Sequence, residues 1–278
     1  VKLFDNDSGV LHSAPERIRN NLQTFLEMGL VKSQEVEDCL NHVQLSHTLG
    51  EMCEGIKLGI EAVSENLDLK RAIFLDLERL TPPETILCSN TSGISISLIS
   101  EKLQFKERVV GTHFWNPPHI VPCVEVIKSQ FGSDEVFHTV VELMKRVGKE
   151  PVRVLKDVPG FLGNRLQHAL WREAISLVEK GIAAPEDIDR VVKYGFGLRL
   201  PFIGPLETAD LAGLDLVYNI HKYLFSDLEN RSTPSPLLKT LLDQKATGVK
   251  SKKGFYNWTD ERTKQIIQQR DKALLKIT

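Results

Sequence analysis

The stretch Ser89-Asn90-Thr91-Ser92-Gly93 follows an apolar run, Thr85-Ile86-Leu87-Cys88, and the same arrangement recurs downstream. Val109-Val110 leads into Gly111-Thr112-His113-Phe114-Trp115-Asn116-Pro117-Pro118, and Glu125 sits inside Cys123-Val124-Glu125-Val126-Ile127. Short apolar runs of this kind read as buried strands. Ligands of an open parallel sheet bind outside the carboxyl ends of its strands. A hydroxyl, an imidazole and an amide at such ends are what an active site requires, so these runs predict an α/β fold with chemistry at the strand ends.

Working outward, the first half of the chain alternates strands and helices. Strands are predicted at 1–4, 57–63, 85–88, 108–111, 123–127 and 152–155. Helices are predicted at 15–28, 69–80 (ended by Pro82-Pro83) and 134–147. Such alternation argues for a parallel sheet with helices on both faces, with mixed strands possible late in the order. Beyond Pro159-Gly160 the pattern becomes helical, with stretches at 164–180, 186–194, 208–224, 236–244 and 261–275. Gly181 is a C-terminal stop and Pro185 suits a first helical turn. The expected division is therefore 1–157, an α/β sheet domain, and 158–278, an all-α domain.

A length of 278 residues is comfortable for two domains, and 41% hydrophobic with 26% charged residues is ordinary for a globular protein. A net charge of −2 gives no electrostatic case for nucleic acid. No apolar run approaches the roughly 18 residues of a membrane span. Val1-Lys2-Leu3-Phe4-Asp5 reads as a strand rather than a signal peptide. Cys39, Cys53, Cys88 and Cys123 are scattered without a Cys-x-x-Cys pair. They are expected to be buried free thiols in a reducing cytoplasm, with no metal site.

Taken singly, several polar residues have bland readings. An isolated His113 would be a core histidine satisfied by backbone groups, yet the Asn116-Pro117-Pro118 that follows makes a sharp loop. Glu125 is costly in so apolar a run unless paired. His113 is its natural partner, and a salt bridge to a lysine or arginine is the alternative. Ser92 and Asn164 could each be a helix cap.

Together, Ser89-Asn90-Thr91-Ser92-Gly93, His113-Phe114-Trp115-Asn116-Pro117-Pro118 and Asp157-Val158-Pro159-Gly160-Phe161-Leu162-Gly163-Asn164-Arg165-Leu166 resemble the L-3-hydroxyacyl-CoA dehydrogenase family. The order and spacing match over nearly the whole chain. The resemblance implies a Rossmann-type doubly wound sheet, an all-α C-terminal domain and NAD as cofactor. It implies His113 as general base paired with Glu125, and Ser92 and Asn164 around the substrate's 3-oxygen. Asp5 matches the acidic residue that binds the adenine ribose, which favours NAD over NADP. Glu65, Lys70, Ser92, Asn116 and Lys250 match cofactor-side positions. Since Asp5 normally follows a first strand and a glycine turn, those elements are expected upstream of Val1.

Two features depart from the short-chain acyl-CoA enzymes of the family. Asn20-Asn21-Leu22-Gln23 and Glu27-Met28 stand where those enzymes place a serine and a lysine toward CoA. Gly197-Leu198-Arg199-Leu200-Pro201-Phe202-Ile203-Gly204-Pro205-Leu206-Glu207 is longer than the usual turn and is more similar to the λ-crystallin/L-gulonate dehydrogenase branch. Arg199 could fork a free carboxylate or merely end a helix. The resemblance thus implies oxidation of an L-3-hydroxyacyl-CoA in cytoplasmic fatty acid metabolism. The alternatives are a free 3-hydroxy acid of gulonate or carnitine type, or a non-catalytic crystallin-like protein. A homodimer through the helical domain is expected, with no membrane or nucleic-acid partner.

Overall fold

A computed structural model describes residues 1–277, in which the chain forms two compact units, Val1–Asn164 and Arg165–Ile277. The first opens on β1 (Lys2–Leu3), α1 (Ser8–Glu27), α2 (Ser33–Asn41) and β2 (Gln44–Leu45), with β1 and β2 paired in parallel. The sequence suggested a helix from Pro15, but α1 begins at Ser8. Asp7 caps it, its carboxylate accepting from the Gly9 and Val10 amides, and Pro15 lies inside the helix.

The unit continues through α3 (Leu49–Cys53), β3 (Leu58–Glu61), α4 (Leu67–Leu80), β4 (Ile86–Ser89) and α5 (Ile96–Ser100). It is completed by β5 (Val109–Phe114), β6 (Cys123–Lys128), α6 (Asp134–Arg146) and β7 (Glu150–Val154). Strands β3 to β7 form a sheet in sequence order, parallel except for the antiparallel β5–β6 pair. Side chains alternate across a strand, so neighbours in sequence enter different cores. Leu87, Val109 and Ile127 pack with Phe74 and Leu77 of α4 and Ile96 and Ile99 of α5. Cys88, Val110 and Val126 pack on the other face with Phe137, Val140 and Met144 of α6. Each such fully buried side chain contributes about 1.5–3 kcal/mol.

The helical region comprises α7 (Gly163–Glu179), α8 (Pro185–Tyr194), α9 (Pro205–Ala212), α10 (Leu214–Leu224), α11 (Pro236–Asp243) and α12 (Asp260–Ile277). The single helix expected over 208–224 is two, because Gly213 sits between them at φ 93°. Among the described residues of the second unit, only Ser176, Ile188 and Ala246 are buried. All four cysteines are free, but only Cys53 and Cys88 are buried. Cys39 is exposed and Cys123 half-buried, because α2 and the start of β6 turn them outward.

Candidate active site

The antiparallel register of β5 and β6 sets His113 directly opposite Glu125. Both are buried, and His113 Nδ1 lies 2.7 Å from Glu125 Oε2. His113 therefore sits within β5 rather than just past a strand, held by its cross-strand neighbour. The other carboxylate oxygen, Oε1, accepts from the Leu162 and Gly163 amides, each at 2.9 Å. Burial pushes the Glu125 carboxyl up, but the bonds from His113, Gly163 and Leu162 outweigh it and hold the group below its ordinary range. An ionised carboxylate on Nδ1 orients the ring and leaves Nε2 to exchange a proton with a reactant. Trp115 and Phe161 contact the ring, with centroids 5.3 and 5.9 Å away.

The amides that serve Glu125 depend on an unusual turn. Gly160 and Phe161 both have left-handed backbones, at φ 74° and 49°. That conformation costs a non-glycine residue of order 1–3 kcal/mol, and it persists where packing over-determines it. Phe161 is fully buried in the α4–α5 core. The chain then enters α7 with Leu162 and Gly163 directed at the carboxylate. A Cβ at Gly163 would lie 2.1 Å from Trp115 Cζ2, so only glycine permits this approach of backbone and indole.

The loop after β4 supplies Ser92. Glu65 Oε1 accepts from the Thr91 hydroxyl at 2.6 Å and from the Ser92 and Gly93 amides at 3.1 Å each. Asn164 Nδ2 donates to the Ser92 carbonyl at 2.6 Å, and the Phe114 amide donates to Asn90 Oδ1 at 2.9 Å. Helix capping falls to Ser95, which accepts from the Leu98 amide, so the exposed Ser92 has no capping role. Asn164, one residue inside α7, gives the loop one of its two amide protons. The first unit thus brings together Ser92, His113, Glu125 and Asn164, with Glu65 supporting the loop.

Lys70 is fully buried, its Nζ 2.7 Å from Glu61 Oε1. Asp5 lies half-buried just past β1, its Oδ1 accepting from the Asp7 amide at 2.9 Å. A carboxylate at a strand end fits the ribose hydroxyls of a dinucleotide. Asn116 is exposed in the loop after β5, whose Pro118 and Val121 carbonyls are gripped by Lys149 Nζ. Arg199 and Lys250 are exposed residues of 3₁₀ turns in the second unit.

Sequence reasoning missed Glu61, Asn90, Phe161 and the Leu162 and Gly163 amides. A signal for Glu61 was available. It is a carboxylate ending the apolar strand Leu58-Gly59-Ile60-Glu61, the same anomaly that exposed Glu125. Among the described residues, no group of three or more His, Cys, Asp or Glu side chains could hold a metal ion, and no helix is long and apolar enough to cross a membrane.

A parallel-dominated α/β sheet with a buried imidazole–carboxylate pair in its strands and an acidic residue past β1 suits a nicotinamide-dependent dehydrogenase. Sequence comparison agrees. Residues 1–158 match the 3-hydroxyacyl-CoA dehydrogenase NAD binding domain, and residues 160–258 match the C-terminal domain of the same family. The chain is 37% identical over 235 residues to 5-formyl-3-hydroxy-2-methylpyridine 4-carboxylate 5-dehydrogenase of Mesorhizobium japonicum, covering 84% of this chain and 76% of that one. It is 36% identical over 262 residues to a probable 3-hydroxybutyryl-CoA dehydrogenase of Bacillus subtilis, covering 94% and 90%. The crystal structure of an enzyme with the pyridine-carboxylate activity, described as an NAD+ dependent dismutase, superposes with a TM-score of 0.92. Identity there is 33%, with 100% of this chain and 89% of that one covered. The chain belongs to the 3-hydroxyacyl-CoA dehydrogenase family, and it is an NAD-dependent oxidoreductase.

Proposed function

We propose that the protein oxidises the 3-hydroxyl of an L-3-hydroxyacyl-CoA to the 3-ketoacyl-CoA, and runs the reverse reaction. The observation that carries this reading is the 2.7 Å His113–Glu125 pair with two backbone amides on the same carboxylate. His113 Nε2 takes the hydroxyl proton as the C3–H bond breaks, and Glu125 stabilises the imidazolium that forms. NAD, when bound, accepts the hydride. The Ser92 hydroxyl and the Asn164 side chain hold the 3-oxygen and share the charge that develops on it. Asp5 takes the adenine ribose, while Glu65, Asn116 and Lys250 serve the nicotinamide side.

The test is NADH consumption with acetoacetyl-CoA against free acetoacetate. Fast turnover of the thioester alone supports the reading, and preference for the free acid overturns it in favour of a second. That second reading, a free hydroxy acid, is favoured by the 0.92 TM-score over the whole chain to an enzyme named for a pyridine carboxylate. Arg199 would then bind the carboxylate. Arg199→Met should weaken a free acid and spare a thioester.

We also infer a homodimer through the helical unit, whose Phe202, Leu206 and Leu211 are more than three-quarters exposed, at 79%, 81% and 76%. Free cysteines fit a reducing, cytoplasmic setting, and the acyl-CoA reading places the reaction in fatty acid metabolism.

A further inference from the structure

Beneath the Ser92 loop lies a buried ion pair that the proposed chemistry does not use. Asn66 caps α4, accepting from the Leu69 amide at 2.9 Å, and so fixes the first turn from which Lys70 projects. Lys70 Nζ donates to Glu61 Oε1 at 2.7 Å and to the Val63 carbonyl at 3.2 Å, and it lies 3.5 Å from Glu65 Oε2. An ammonium has three protons to donate, and it is surrounded by these three oxygens. The residue is 0% exposed.

Glu61 is held through both of its oxygens. Its Oε1 also accepts from the Val63 amide at 2.7 Å, and its Oε2 accepts from the Ser89 hydroxyl at 2.6 Å. Ser89 Oγ in turn receives the Thr91 amide at 3.3 Å. Glu65 closes the circuit, with one oxygen toward Lys70 and the other on Thr91, Ser92 and Gly93.

We propose that Glu61 and Lys70 are positioning residues, which act through Glu65 to fix the Ser92–Gly93 backbone. The proposal rests on the reading of Ser92 as a substrate contact. Glu65 needs such a partner. Burial raises its carboxyl, and the Thr91 hydroxyl, the Lys70 charge and the Gly93 and Ser92 amides together bring it below the ordinary range. An ionised Glu65 accepts all three loop donors, whereas a protonated one would give up acceptor capacity.

Amide hydrogen exchange at Ser92 and Gly93, with no substrate present, tests the inference in the full-length protein. Lys70→Met should speed exchange at both amides by about tenfold or more, as expected for loss of charge-assisted hydrogen bonds. In turnover assays it should lower kcat and add nothing to Ser92→Ala, since neighbours acting as one unit are non-additive. Unchanged exchange overturns the proposal. So does a large loss of NADH affinity at unaltered exchange, which would mark direct cofactor contact. Equal kcat losses with and without Ser92 would reduce the pair to scaffold. If Lys70→Met does not fold, Glu65→Gln, at an exposed position, must show the same gain in exchange or the proposal fails. A parent protein inactive on every substrate would sink the proposed function, while the exchange result would still decide this inference.

Discussion

Glu125 illustrates what a carboxylate needs in order to stay charged among valines. It has three donors, one from a ring across the sheet and two from the backbone at the start of α7. Replacing His113 by Gln should lower turnover by about 10²–10⁴-fold, the range for a lost general acid–base, with NADH affinity nearly intact. Unchanged kcat would remove His113 as the base. Glu125 also carries a stability signature. Its folded value lies below that of the unfolded chain, so its contribution is full above the ordinary carboxylate range of about 4 and is lost as pH falls through the folded value. Glu125→Gln should therefore flatten the decline in stability on acidification below about pH 4, as read by urea melts across that range. An acid limb as steep as the parent's would refute this. The pair itself was legible in the sequence, because a charged residue inside an apolar strand must find a partner. Its two amide donors were not, since backbone groups leave no trace in residue identity.

Among the elements, the entrance to α7 carries the most consequence. Gly160, Phe161 and Gly163 together aim two amides at one carboxylate, and Gly163 does so under an indole. Gly163→Ala should force apart Trp115 and the helix start, costing about 1–3 kcal/mol of stability, the usual size of overpacking. It should also lower kcat, because Glu125 loses alignment with its donors. Wild-type melting and kcat would show that the backbone can shift freely there. The long elements were legible from apolar periodicity, including α4, α6 and the strands β3 to β6. Short ones such as α3 and α5, with five residues each, carry too few apolar positions to set a period. The break at Gly213 was hidden because the apolar residues on either side read as one continuous stretch.

At the scale of the whole molecule, the two units are built on different terms. The first has a sheet with apolar cores on both faces, whereas the second leaves most of its leucines and aromatic residues exposed. Those faces are where the proposed homodimer would pack. Leu211→Glu, at a position 76% exposed, should scarcely disturb an isolated chain but should shift sedimentation toward the monomer. A parent that sediments as a monomer at every concentration would rule out the homodimer. The division into a sheet half and a helical half was plain in the sequence, since the hydrophobic period changes after Pro159-Gly160. Surface coverage was not, because an apolar helix face looks the same whether its partner is internal or external.

Trp115 has a practical use. The chain has three tryptophans, and the other two, Trp171 and Trp258, belong to the helical unit. With both of those replaced by Phe, the remaining emission would come from a ring that packs near both the His113 imidazole and Gly163. Its brightness would then follow any event that disturbs the imidazole or the start of α7. The site thus contains its own optical probe, placed where an attached dye would destroy what it was meant to observe.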